Sequence, residues 1–157
     1  MTLRILKALS ETLKDQARIR LFGVNDPDLA AAGLETGFTY DNRGPLPTEG
    51  VAALMDETDV FLDFSTYQAM GLTALEAMAC GVAVVAPRKG GAGDFIHHEQ
   101  NGLLVNTADE SACLQAALRL ATDHALRARL QQAALASAPR HTPERAAARM
   151  LDALFPG

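Results

Sequence analysis

No apolar run in these 157 residues approaches the roughly 20 needed to span a bilayer. The amino terminus, Met1-Thr-Leu-Arg-Ile-Leu-Lys7, has neither the apolar centre nor the cleavage site of a signal peptide. Cysteine is scarce: Cys80 and Cys113 alone, each inside an apolar helical pattern. Such a pair reads as buried reduced thiols, not a disulfide or a metal pair, and implies a reducing, cytoplasmic setting. Positive charge is also short: 14 Lys and Arg against 19 Asp and Glu leave a net charge of −5, which argues against broad nucleic-acid binding. Internal repeats and low-complexity segments are absent. At 48% hydrophobic and 21% charged residues, the composition fits one soluble domain spanning 1–157.

Several site signatures are missing too. Gly91-x-Gly93 does not extend to a dinucleotide fingerprint, because the third glycine position is Ile96, and no phosphate-loop motif occurs. His97 and His98 are neighbours, which do not share a helix face, and no cysteine or carboxylate stands at ligand spacing; no metal site is expected. His124 and His141 sit near helix ends and read as structural. Asp63 lies within a strand, as in a receiver domain, but the acidic pair and lysine of that module are lacking. The arginines of the last 50 residues recur at helical spacing and read as a solvated face.

What is present is an alternation of strands and helices. Apolar periodicity predicts a helix over 3–14, on Leu3, Leu6, Leu9 and Leu13. Strands are expected at 18–22, 38–40, 59–64, 82–86 and 102–105. Residues 24–37 are turn-rich, with a short helical piece near 29–32, and 42–47 is loop. A helix over 49–57 would be capped by Thr48, another would contain Glu76, and a short one at 94–98 would be capped by Asp94. Thr107-x-x-Glu110 reads as a capping box ahead of a long helix. Further helices follow at 124–137 and from Thr142-Pro143. Continuous apolar strands suggest a sheet covered on both faces. The fold class is therefore α/β: a doubly wound, mostly parallel, Rossmann-like sheet of about five strands with a helical carboxyl-terminal extension. Ligands of such sheets bind at the carboxyl ends of the strands, here after Phe22, Phe64 and Ala86.

One segment is richest in chemistry. The turn at Gly71-Leu72-Thr73 runs directly into the helix that carries Glu76. Open amides at a helix amino terminus, aided by the helix dipole, attract phosphate. A carboxylate one turn further in is placed to accept from sugar hydroxyls. Together they suggest recognition of a nucleotide-diphosphate sugar.

The ordered elements from Thr58 to Val105 carry a wider pattern: Thr58-Asp59-Val60, Ser65, Gly71-Leu72, Leu75-Glu76-Ala77-Met78-Ala79, Gly81, Val84-Val85, Gly90-Gly91, Asp94 and Asn101-Gly102-Leu103-Leu104-Val105. This pattern resembles the donor-binding half of retaining glycosyltransferases with the GT-B fold. The resemblance implies transfer of a sugar from a nucleotide-diphosphate donor to an acceptor hydroxyl, with retention and without a metal ion or other cofactor. It implies that Glu76 takes the ribose hydroxyls and that the amides of Gly71, Leu72 and Thr73 cradle the diphosphate; Gly90, Gly91 and Gly93 either line the sugar pocket with their amides or form a plain strand-to-helix turn. Arg88 and Lys89 follow a strand end near the same cleft and read as surface charge.

Two departures from the family pattern stand out. Gln68 occupies the position eight before Glu76 where the family has its catalytic glutamate. An amide still bonds a hydroxyl but supplies no negative charge to an oxocarbenium-like state, a difference of about a few kcal/mol. Either the chemistry differs, or the module is a non-catalytic binder of sugar nucleotides or partner proteins. The second departure is a strand ending in Gly-Arg, with a following Lys, that precedes the first helix in the family; it has no counterpart here. The amino-terminal acceptor domain lacks one too, and any peripheral membrane association would run through that half. Donor base, sugar and acceptor are not specified by these residues.

Overall fold

The computed structural model describes residues 1–33 and 37–155. Residues 34–36, within the turn-rich segment expected at 24–37, lie outside the described residues, as do 156–157. Among the described residues there are five parallel strands: β1 (Arg20–Leu21), β2 (Asp41–Asn42), β3 (Val60–Leu62), β4 (Ala83–Pro87) and β5 (Leu103–Val105). They form two sheets instead of one, β1-β2 and β3-β4-β5. The helices are α1 (Thr2–Leu13), α2 (Asp26–Ala31), α3 (Thr48–Asp56), α4 (Leu72–Ala79), α5 (Glu110–Thr122), α6 (His124–Ser137) and α7 (Pro143–Leu154).

Strand β4 shows why the layers form. All five of its residues are buried. Side chains alternate across a strand, so Ala83 and Val85 enter one core while Val84 and Ala86 enter the other. The first core is closed by Ile5, Leu6, Leu9 and Leu13 of α1 and by Cys113, Ala117 and Leu120 of α5. The second is closed by Ala74, Ala77 and Met78 of α4, with Met55, Phe95 and Ile96. Each fully buried Val, Leu or Ile contributes about 1.5–3 kcal/mol relative to an exposed one. A change such as Leu120→Ala, at a position with no exposure, would leave a cavity in the first core. Helix α6 serves both cores, through Leu130 on one side and Ala134 on the other.

Several local expectations shift. The second strand is Asp41–Asn42, not 38–40: pairing with β1 selects it, through Asp41 N donating to the Ile19 carbonyl (2.9 Å) and Arg43 N to that of Leu21 (2.8 Å). The Phe38 and Tyr40 rings instead pack on each other at 5.4 Å. Thr48 is the first residue of α3, whose cap position is Pro47 and has no side-chain bond. Asp109, not Thr107, caps α5, accepting from Ala112 N at 3.0 Å. Asp94 does not open a helix at 94–98; it ends a single 3₁₀ turn, Gly91–Asp94. Thr142 caps α7 as its Thr-Pro start predicts. Not every late arginine is solvated: Arg127 donates to the carbonyls of Leu120 and Ala121, both at 3.1 Å, closing the end of α5.

Both cysteines are free thiols. Burial pushes each thiol above its ordinary range, with nearby carboxylates adding to the shift. Among the described residues no helix is long and apolar enough to cross a membrane, and no cluster of metal-ligating side chains occurs.

Candidate functional site

The site lies at the carboxyl rim of β3. The chain turns there because Asp63 Oδ1 accepts from both the amide (2.9 Å) and the hydroxyl (2.6 Å) of Ser65, a local turn that aspartate and serine favour. Phe64 between them is buried and anchors the turn in the first core. The Ser65 hydroxyl in turn accepts from Gln68 Nε2 at 3.2 Å. A hydrogen-bonded chain, Asp63–Ser65–Gln68, thus orients the Gln68 amide, leaving its Oε1 without a protein donor among the described residues.

The backbone of Gln68 is fixed from the other side. It forms a parallel bridge with Gly90, and its carbonyl accepts from Gly91 N at 2.9 Å. A Cβ on Gly91 would stand 2.3 Å from the Ala69 carbonyl oxygen, so only glycine admits this approach. Gly91 therefore spends its N–H on the Gln68 loop and does not offer it to a ligand. Gly93, by contrast, is exposed and borders open space.

Gly71 takes a left-handed conformation (φ 73°) and serves as the cap of α4. Its carbonyl accepts the amides of Ala74 and Leu75, at 3.0 and 3.2 Å. The amides of Gly71, Leu72 and Thr73 have no protein acceptor among the described residues. They form the donor-rich, positive end of the helix dipole. Thr73 lines a groove of about 300 Å³ together with Gln68, Ser65, Asp63, Phe22 and Thr2. Glu76 is exposed and stands three residues after Thr73, hence on the same face of α4 one turn along. Of the predicted residues, Gln68 and Thr73 line this groove; Gly71 and Leu72 precede Thr73 at the start of α4, Glu76 stands one turn along that helix, and Gly90 and Gly91 hold the Gln68 backbone. The Leu72 side chain points to solvent and is 56% exposed, so its contribution to the site is its amide.

Asp63 and Ser65 were not singled out as a positioning pair from sequence. The Asp-x-Ser spacing at a strand end is the cue that identifies such a turn. A larger hollow, about 360 Å³, runs along β5 and α5 past Arg88, His98 and Arg119. It holds none of the predicted site residues, and its Arg119 is engaged with Glu99.

Residues 2–123 match the family described as Glycosyl transferases group 1. The chain belongs to that family. The match takes in both sheets, the rim and every residue of the candidate site. Among relatives, D-inositol 3-phosphate glycosyltransferase of Stackebrandtia nassauensis is 34% identical over 148 residues, covering 87% of this chain and 33% of that protein. Among solved structures, TarM superposes with a TM-score of 0.81 at 20% identity, over 99% of this chain and 32% of that one. Anabaena Alr3699/HepE, solved in complex with UDP and glucose, has a TM-score of 0.75 at 23% identity, over 96% of this chain and 44% of that one. These likenesses identify the fold as that of a GT-B glycosyltransferase domain. The chain spans a third or less of the length of the curated relatives it matches.

Proposed function

We propose that this chain is the donor-binding half of a glycosyltransferase that moves a sugar from a nucleotide diphosphate to an acceptor hydroxyl with retention. The observation that carries this reading is the grouping of unpaired amides at 71–73, the Glu76 carboxylate one turn along, and the Gln68 amide across the groove. The amides and helix dipole offset the diphosphate charge, so the donor binds without a metal ion and departure of the nucleoside diphosphate is assisted by the same groups. Glu76 accepts from the ribose hydroxyls, and the free Gln68 Oε1 accepts from a hydroxyl of the sugar. A solved relative of the same fold was crystallised with UDP and glucose, which agrees with a nucleotide-sugar donor. Two free thiols agree with a reducing cytoplasmic location. Acceptor binding and turnover belong to the whole protein.

Calorimetric titration with UDP, GDP and their glucose conjugates, in EDTA and again with magnesium, tests the reading. Binding should be unaffected by magnesium. Glu76→Ala should weaken it about tenfold, the loss of one charge-assisted hydrogen bond. Equal affinity in wild type and variant would remove Glu76 from the site. Gln68, neutral where the family carries a carboxylate, favours a second reading: a binding module without catalysis. Gln68→Glu in a full-length parent separates the two, since a non-catalytic module does not gain turnover from one carboxylate.

A further inference from the structure

The groove at the carboxyl rim of β3 has one ionisable side chain among its lining residues, Asp63. Glu76 of α4 and Arg88 and Lys89 beyond β4 stand outside that lining. Along β3, Val60, Leu62 and Phe64 pack on the first core and Phe61 on the second. Alternation places Asp63 on the Phe61 side, the side that α4 covers. An apolar strand thus ends in a half-buried carboxylate. Among the described residues no cation lies within ion-pair distance of it, and its Oδ2 has no protein donor. A half-buried charge left unpaired is unfavourable, and the turn does not require one. A neutral asparagine would accept from Ser65 in the same way, since Asn and Asp both form such turns. The charge at 63 therefore has a use other than the turn.

The Ser65 hydroxyl has a single proton, and it goes to Asp63 Oδ1 at 2.6 Å, a length typical of a bond to a charged oxygen. Ser65 Oγ is left with lone pairs only, so Gln68 must present Nε2 to it, at 3.2 Å. That fixes the amide's orientation and leaves Oε1 as its free end. Bonds in such a chain polarise one another. The Ser65 O–H and the Gln68 N–H are both drawn toward the carboxylate, and amide resonance then raises the electron density on Oε1.

We propose that Asp63 is a positioning residue of the donor-sugar site, acting on the sugar through Ser65 and Gln68 and supplying the negative charge that Gln68 lacks. This rests on the donor-binding reading given above. The carboxylate that the family carries at position 68 is moved back to the strand end, one hydroxyl away. Gln68 Oε1 then meets a sugar hydroxyl as a stronger acceptor than an isolated amide oxygen.

Asp63→Asn tests it, because it removes the charge and keeps the turn. In the free chain, the Gln68 side-chain amide and the Asp63 carboxyl carbon are followed by NMR from about pH 7 to about pH 4. The two should move with one midpoint, and the Gln68 movement should vanish in Asp63→Asn. A Gln68 amide that stays still, or that moves as much in the variant, overturns the proposal. The wild-type titration decides alone if the variant does not fold. Calorimetry with UDP, GDP and their glucose conjugates reads the effect on the sugar. For the base that binds, the ratio of conjugate to nucleotide affinity should fall about tenfold in Asp63→Asn, the difference between a charge-assisted and a neutral hydrogen bond. It should recover in Asp63→Asn/Gln68→Glu, which puts the carboxylate at 68; a residue needed only for the turn gains nothing from that change. An unchanged ratio in Asp63→Asn, or no recovery in the double variant, overturns the proposal and leaves the donor reading standing. A wild-type chain that binds none of the four ligands overturns both.

Discussion

The peptide oxygen of Gln68 stands 1.9 Å from where a Cβ on Gly90 would lie. Real Cβ atoms do not approach backbone so closely, and Gly90 also has φ 116°, which side-chain-bearing residues rarely adopt. Gly90→Ala must therefore separate the 88–91 turn from the Gln68 loop. We expect a loss of about 2–3 kcal/mol in urea unfolding, with weakened UDP binding. Gly93→Ala, where nothing lies within 4 Å, should change stability by less than about 0.5 kcal/mol. A Gly90→Ala protein as stable as wild type would show that the two turns are not in contact in solution.

Ser65→Ala cuts the chain from Asp63 to Gln68 while sparing its backbone bond to Asp63. The turn should survive, with a stability change near 1 kcal/mol. The Gln68 amide loses its anchor, and its Oε1 no longer has one preferred direction. If that oxygen meets the donor sugar, UDP-glucose affinity should fall several-fold while UDP affinity stays put. Calorimetry with both ligands reads the difference. A parallel fall for both would place Gln68 against the nucleotide, and no fall for either would remove it from the site.

How far the sequence could be read differed by the physics involved. The run 82–86 was legible because burial on both faces demands continuous apolar residues, and β4 is buried throughout. The gathering of 71–73 and Glu76 was legible because helix geometry alone sets it. The β2 position was not: aromatic and β-branched propensity at 38–40 competed with register against β1, and pairing won at Asp41–Asn42. The cap of α5 was misassigned because Thr107 and Asp109 both carry capping side chains, and only the backbone bend selects Asp109. The need for glycine at 90 and 91 was invisible for a different reason. The clash is with residues 68 and 69, far away in sequence, and no local pattern encodes it.

Glu99 sits opposite Arg119, which donates to its carboxylate. That hydrogen bond first, and the guanidinium charge second, hold the Glu99 carboxyl below its ordinary range. A folded-state value below the unfolded one means the pair stabilises above the unfolded glutamate pKa, near about 4.3, and loses that contribution as pH falls through the folded value. Both side chains are nearly half exposed, so water and salt screen the effect and its share of stability is small. The titration itself is the sensitive readout. In Arg119→Gln, the carboxyl carbon of Glu99 followed by NMR should titrate closer to an ordinary glutamate. An unshifted midpoint would mean that the pair does not form in solution.

Asn101 shows what a polar side chain at 4% exposure does for the fold. Its Oδ1 accepts from His97 N at 2.7 Å, and its Nδ2 donates to the Phe95 carbonyl at 2.9 Å and to Ser137 Oγ at 3.0 Å. One amide thus ties the turn that follows Gly90-Gly91 to the end of α6, and only a side chain with both a donor and an acceptor fits. Asn101→Ala leaves the His97 amide and the Phe95 carbonyl without this partner, while Ser137 keeps its bond to the Ala134 carbonyl, and we expect about 2–3 kcal/mol of destabilisation in urea unfolding. Asn101→Asp separates the two halves of the role. It keeps the acceptor facing His97 but presents oxygen to the Phe95 carbonyl, so it should destabilise at least as much as alanine at neutral pH. If the aspartate variant instead matches wild type, the bond from His97 carries the function alone, and the link to α6 contributes little.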